Sequence, residues 1–260
     1  MTHHQFAVSF TAPHKMEEAR KLAETLDLPF LDNPLSEPLS EAVATYDYLL
    51  IYTPTYLGLH ASGENLASPF YIDFLSGKLL YRQQHASRKK ELLARAMGVS
   101  PREHPIIVDA TAGLGRDSFI LASLGFHITL LERSPILHAL LTDAILRASL
   151  DPRLLPVMKR MHLIKTDSIT WLSKQPPADI IYLDPMFPER KKSALSKGNM
   201  QIFHDIVGAD PDAGLLLETA LSCAITRVVV KRPRLAEPLS GIKPTYSLSG
   251  NSSRFDIYII

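Results

Sequence analysis

The chain has 260 residues, of which 46% are hydrophobic and 21% charged, values that fit a folded globular protein and exclude a disordered one. Its 28 Lys and Arg against 27 Asp and Glu leave a net charge of +1, which excludes a uniformly basic nucleic-acid coat but not a segregated basic face. One cysteine, Cys223, excludes an internal disulfide framework and a multi-cysteine zinc site; the length suits one large domain, alone or with a smaller companion.

Residues 5–10 (QFAVSF) read as a short strand, and 15–26 as a helix with Ala19, Leu22, Ala23 and Leu26 at helical spacing. A proline-rich loop over 29–40 leads to a strand at 46–52 (YDYLLIY), stopped by Thr53-Pro54. A further strand is expected at 70–75 (FYIDFL), closed by Ser76-Gly77. Residues 1–77 thus read as a small α/β unit without an evident site. A helix over 88–97 (RKKELLARAM), stopped by Gly98, belongs to a basic helical connector at 78–104.

From 105 to 260 the pattern changes to apolar runs of strand length alternating with helices. Strands are expected at 106–110, 127–132, 162–166, 180–184, 227–231 and 255–260, and helices at 117–124, 134–150, 168–173 and 214–224. Pro135 falls in the first turn of the second of these helices, where its missing N–H costs nothing. Runs apolar on both faces predict a doubly wound, mostly parallel sheet covered by helices. The last two strands lack a clear helix between them, which predicts an antiparallel pair at one end. No apolar run approaches the roughly 20 residues of a membrane span, and the N-terminus lacks signal-peptide features; a cytoplasmic protein is the expectation.

Two segments carry chemistry. Residues 106–118 read IIVDATAGLGRDS: a buried strand, Asp109, then Gly113-Leu114-Gly115 opening a helix. Glycines let the backbone turn tightly against a ligand, in the crevice where doubly wound sheets bind. The third glycine of a dinucleotide fingerprint is replaced by Ser118, and no Gly-Lys-Ser/Thr follows. Asp109 and Asp117 would repel a pyrophosphate but suit a ligand with a cationic amino acid end and a sulfonium, as in S-adenosylmethionine. Glu132, closing the next strand beside Arg133, can accept ribose hydroxyls. Asp167 and Ser168, at the third strand tip, can meet an adenine edge, although both residue types also cap helices.

The second segment is 180–188, IIYLDPMFP, an apolar strand ending in a carboxylate and a stiff turn. Asp184 and the Pro185 carbonyl can accept both hydrogens of an exocyclic amino group, and Phe187 can stack on a flat base. That arrangement suits methylation of an amino nitrogen, whose lone pair must leave ring conjugation and point at the methyl group. No metal is needed for such chemistry, and the histidines show no metal-ligand spacing.

Together, Asp109 with Gly113-x-Gly115, Glu132, Asp167 and Asp184-Pro185-x-Phe187 resemble the class I S-adenosylmethionine-dependent methyltransferases. Met186 stands where the second proline of their amino-methylating motif is usual. The longer segments VDATAGLGRDSFILASLG, LLERSP, YLDPMFPERKKSAL and VVVKRP, followed by RFDIY, are similar to the ribosomal RNA small subunit methyltransferase J family. The resemblance implies a seven-stranded Rossmann-like sheet, S-adenosylmethionine as cofactor, and methyl transfer to N2 of a guanine in small-subunit (16S) ribosomal RNA. It also implies cofactor contacts at Arg116-Asp117, Glu132-Arg133, Asp167-Ser168 and Asp184. The chain departs from the family at 81–91, which has no glycine where members carry a glycine-rich basic stretch.

Arg190, Lys191 and Lys192, just past the Asp-Pro-Met-Phe-Pro turn, and Lys231 and Arg232, at the end of a strand, are the candidates for RNA phosphates. Competing readings are a nicotinamide-dependent oxidoreductase, a catalytically silent RNA-binding module, and an amino-methyltransferase acting on DNA adenine or protein glutamine.

Overall fold

The computed structural model describes residues 5–35, 45–61, 69–186 and 210–260. A three-stranded sheet comes first in the chain. Strand β1 (Phe6–Phe10) pairs in parallel with β2 (Tyr48–Tyr52), and β2 pairs antiparallel with β3 (Leu57–Ala61). Helix α1 (Met16–Leu26) lays Ala19 and Ala23 into the core and stops at Asp27, which takes the left-handed conformation.

Strand β3 is absent from the sequence reading, because Gly58 interrupts a short apolar run and glycine weakens a strand pattern. Here it is needed: a Cβ on Gly58 would lie 2.7 Å from that of Pro69. The strand expected at 70–75 shrinks to one bridge, with Phe70 and Leu59 exchanging both backbone hydrogen bonds. Helix α2 (Gly77–His85) was also unforeseen, and the helix expected over 88–97 begins only at Leu92, giving α3 (Leu92–Met97). Arg88, Lys89 and Lys90 form a turn instead, held by the Lys90 and Glu91 N–H groups donating to the Ser87 carbonyl.

The rest of the chain builds a seven-stranded sheet in the order β6-β5-β4-β7-β8-β10-β9. The strands are β4 (Ile107–Asp109), β5 (Ile128–Glu132), β6 (Met161–Lys165), β7 (Ala178–Leu183), β8 (Ala224–Pro233), β9 (Tyr246–Ser249) and β10 (Ser253–Ile259). The first five run parallel, and β10 lies antiparallel to both β8 and β9. The antiparallel end was expected; β9, short and mostly exposed, was not.

Successive residues of the central strands feed two different cores. Ile107, Ile180, Tyr182, Val229 and Ile257 join one cluster, and Val108, Ile181, Leu183, Val228 and Val230 the other. This is the two-residue period of a sheet buried on both faces. The first cluster is covered by α4 (Arg116–Ser123), α5 (Pro135–Ser149) and α6 (Leu155–Met158), and runs on into Val8, Phe10, Leu50 and Leu59 of the small sheet. The second is covered by α7 (Ser168–Leu172) and α8 (Ala213–Cys223), with Trp171 packed at its edge. Among the described residues no helix is long and apolar enough to cross a membrane.

Strand order reverses between β4 and β7. A crevice therefore opens beyond their carboxyl ends, where the tips of β5 and β6 also emerge.

Candidate active site

Every residue expected around the cofactor, from Asp109 to Asp184, lines one cavity of about 430 Å³ in that crevice. The glycine turn after β4 works as its sequence implies. Gly113 and Gly115 have φ of +52° and +65°, and Gly115 is the residue before α4. A Cβ on Gly115 would stand 2.8 Å from Leu141 Cδ1 and 3.2 Å from Phe74 Cζ, so the turn demands glycine on both counts.

Asp109 is buried at the end of β4. Its Oδ2 accepts from the Ser118 hydroxyl at 2.5 Å and its Oδ1 from the Thr111 N–H at 3.1 Å. Burial pushes its carboxyl up to about 7, against the pull of those two donors. Asp109 thus braces the turn from inside, and Ser118, which replaces the third glycine of a dinucleotide fingerprint, is its partner.

Glu132 is also buried and raised by burial. Its Oε2 accepts from the Gly113 N–H at 2.9 Å and its Oε1 from the Ser134 N–H at 2.7 Å. Each oxygen keeps a second lone pair, enough to take a pair of ribose hydroxyls. Asp167 caps α7 through Oδ1, accepting from Thr170 N–H at 2.8 Å, and also lines the cavity. The Ser168 hydroxyl is turned inward, donating to the Ala110 carbonyl at 2.7 Å and tying the β6 tip to the β4 tip. The volume lies within the roughly 300–1,000 Å³ of small-molecule sites. Carboxylates with open lone pairs fit a ligand bearing ribose hydroxyls and amino groups.

At the β7 side, Lys231 Nζ donates to Asp117 Oδ2 at 2.7 Å and to Asp184 Oδ2 at 2.8 Å. The Tyr182 hydroxyl donates to Asp117 Oδ2 at 2.8 Å, and Arg82 Nη1 reaches Asp117 Oδ1 at 3.4 Å. Burial alone would raise Asp117, but Lys231, Tyr182 and Arg82 outweigh it and hold the carboxyl below its ordinary value. Asp184 goes the other way. Burial raises it, the charge of Asp117 adds to that, and Lys231 only partly compensates. The Asp184 N–H donates to Thr111 Oγ1 at 2.6 Å, which fastens the start of the turn to the β4 loop. Among the described residues Asp184 Oδ1 accepts no hydrogen bond, and the side chain is 37% exposed.

Several expectations change here. Lys231, although partly exposed, does not offer a free ammonium to a phosphate; both carboxylates engage it at the cavity wall. Arg232 is buried, and its Nε and Nη2 donate to the Glu237 carbonyl at 3.1 and 2.6 Å, so it secures a local loop rather than RNA. Arg133 lines the cavity, but its guanidinium is held by Asp212 at 2.7 Å and by Asp210. Pro185 is buried behind Asp184 and does not line the cavity. Phe187, Arg190, Lys191 and Lys192 lie outside the described residues.

Arg82, Thr111, Tyr182, Asp210 and Asp212 also line the cavity, none of them expected there from the sequence. Tyr182 was findable: it is the one polar side chain inside IIYL and stands two residues before Asp184, on the same face of the strand. Arg82 was not, since it reaches Asp117 from 35 residues away. It falls in the glycine-free stretch 81–91, and that stretch binds itself to the site: Arg82 Nη2 also donates to Glu91 Oε2 at 2.8 Å.

Residues 38–260 match the family described as "Putative SAM-dependent methyltransferase". The chain is 44% identical over 262 residues to Ribosomal RNA small subunit methyltransferase J of Thioalkalivibrio sulfidiphilus, covering 100% of this chain and 99% of that protein. It is 44% identical over 260 residues to the protein of the same name from Marinobacter nauticus, covering 99% and 92% of the two chains. Among solved structures it is similar to a SAM-dependent methyltransferase of Neisseria gonorrhoeae, with TM-score 0.72, 34% identity, and coverage of 98% of this chain and 95% of that one.

Proposed function

The chain belongs to the ribosomal RNA small subunit methyltransferase J family of S-adenosylmethionine-dependent methyltransferases, and from that premise we propose that it methylates N2 of a guanine in small-subunit (16S) ribosomal RNA. The observation that carries the amino-nitrogen chemistry is Asp184. It stands at the tip of β7 with one oxygen fixed by Lys231 and the other unengaged among the described residues, at the mouth of the cavity. Family membership sets aside the nicotinamide-dependent reading.

When bound, S-adenosylmethionine supplies a methyl group activated by a positively charged sulfur. Glu132 would hold the ribose hydroxyls, Asp167 and the segment around Ser168 the adenine edge, and Asp117 with Arg116 the amino acid end. Asp184 Oδ1 accepts an N–H of the guanine amino group. This draws the nitrogen lone pair out of conjugation and counters the positive charge that builds on nitrogen. The same oxygen takes the proton that nitrogen sheds on becoming a secondary amine. Its burial-raised affinity for protons suits that duty. Phe187, three residues further along the chain, is the aromatic we assign to the base, and Arg190, Lys191 and Lys192 are the cations we assign to RNA phosphates. DNA adenine and protein glutamine would offer similar amines; the relatives' names favour ribosomal RNA.

The test offers labelled S-adenosylmethionine with small-subunit particles, or their naked RNA, from cells lacking the enzyme. Label on guanine N2 supports the proposal. Label on a ring carbon or a ribose, or transfer only to DNA or protein, rejects it.

A further inference from the structure

Lys231 lies within β8, two residues before its end, and its side chain enters the cavity wall. The pairing of β7 with β8 sets Leu183 opposite Val230, so the next residues, Asp184 just past β7 and Lys231 still paired within β8, stand side by side. They share the face that already carries Tyr182 and Val229 toward α4, and α4 presents Asp117 in its first turn. Strand register therefore delivers one ammonium between two carboxylates, at 2.7 Å from Asp117 and 2.8 Å from Asp184.

We propose that Lys231 is a positioning residue for methyl transfer: it clamps Asp184 through Oδ2, so that Oδ1 is the oxygen turned to the substrate amine, and it keeps that carboxylate an acceptor. The inference rests on the amino-methylating reading of Asp184 above. A protonated Asp184 would offer the amine a donor instead of an acceptor and would have no room for the departing proton.

The surrounding groups make Lys231 the deciding one. Asp117 from α4 and Asp210, next to Met186, both set negative charge against Asp184. Asp109 on β4 lies further in, and Tyr182 on the same strand gives its hydroxyl to Asp117, not to Asp184. Thr111 takes the Asp184 backbone N–H, which leaves the carboxylate unaided. Arg82, the other cation on this wall, is 3.4 Å from Asp117 and is tied to Glu91 on its far side. Among the described residues Lys231 is thus the one cation bonded to Asp184. Without it, Asp117 keeps Arg82 and Tyr182, so Asp184 is the acid that takes up a proton.

The sign follows. Removing the charge of Lys231 moves proton uptake by Asp184 to higher pH, so activity is lost first on the acid side and recovers as pH rises. Each unit of displacement corresponds to about tenfold in rate below the new midpoint. Lys231→Gln keeps a hydrogen-bond donor and drops the charge, while Lys231→Arg keeps both. We expect the acid limb of kcat/KM for methyl transfer to shift upward in Lys231→Gln and to stay near the parent value in Lys231→Arg. Independently of turnover, carbon-13 NMR of aspartate carboxyls, with Asp184 identified through Asp184→Asn, should show its titration midpoint raised in Lys231→Gln. An unmoved Asp184 midpoint, or an equal loss of activity at every pH, overturns the inference. The two readings fail separately: absence of label from guanine N2 with the parent protein sinks the substrate assignment, whereas the NMR midpoint alone decides whether Lys231 governs Asp184.

Discussion

The two sheets start from the same raw material and end differently. In the small sheet the central strand β2 buries Leu49, Leu50 and Ile51 completely, as β7 buries Ile180, Ile181 and Leu183 in the large one. Yet β2 runs into a tight return at 53–56, where Thr53 takes its hydrogen bonds from and gives them to Tyr56, and β3 comes back antiparallel. In the large sheet β4, β5, β6 and β7 all run the same way, so their last residues meet on one rim. Asp109, Glu132 and Asp184 stand there with the starts of α4 and α7. Parallel order gathers strand ends, and antiparallel order disperses them. The gathered carboxylates tolerate burial because each is answered: Asp109 by Ser118, Glu132 by two backbone N–H groups, Asp117 and Asp184 by Lys231.

That contrast can be broken or sharpened by substitution. The largest effect is expected at the rim. Asp184→Ala should lower kcat for methyl transfer by about 10²–10⁴-fold, with an unchanged circular dichroism spectrum. A variant within a few-fold of the parent would show that the rim carboxylate is not the acceptor. In the small sheet the expected effect falls on stability instead. Leu50→Ala leaves a hole where a fully buried side chain stood and should cost roughly 2–5 kcal/mol in urea unfolding, while turnover per folded molecule stays the same. A fall in turnover per folded molecule would mean that the small sheet takes part in the site.

The last effect is a slope, at most about 1.4 kcal/mol over any one pH unit. Folding raises the Asp109 carboxyl from an ordinary 3.8 to about 7, so the folded state binds the extra proton between those values. Its contribution to stability is complete below the unfolded value and is lost as pH rises through 7. Asp109→Asn should flatten the dependence of unfolding free energy on pH between about 4 and 7, by no more than about 1.4 kcal/mol per pH unit. Parallel curves for parent and variant would contradict the burial-driven shift.

Much of the large sheet was legible because its pattern is local. An apolar run followed by an acid and a glycine turn announces a strand end, whatever surrounds it; 106–118 and 180–186 needed nothing else. The small unit was harder to read. Strand β3 hides behind Gly58, whose value lies in the approach of Pro69, and α2 holds a short apolar pair, Leu79 and Leu80, that gives little period to read. Lys231 and Arg232 looked alike as neighbouring cations in VVVKRP, yet alternation along β8 sends one to the carboxylates and the other to the Glu237 carbonyl.

The amino-acid sequence by itself fixed the kind of chemistry, since residue type and short-range order set which acids follow which strands and where glycine must bend the backbone. Which charges answer one another was decided only by the fold. Arg82, Asp117, Tyr182, Asp184 and Lys231 are spread over 150 positions of chain, and only strand register and helix placement bring their polar atoms within hydrogen-bond reach. Coulomb attraction and burial act through distance in space, which spacing along the chain does not encode.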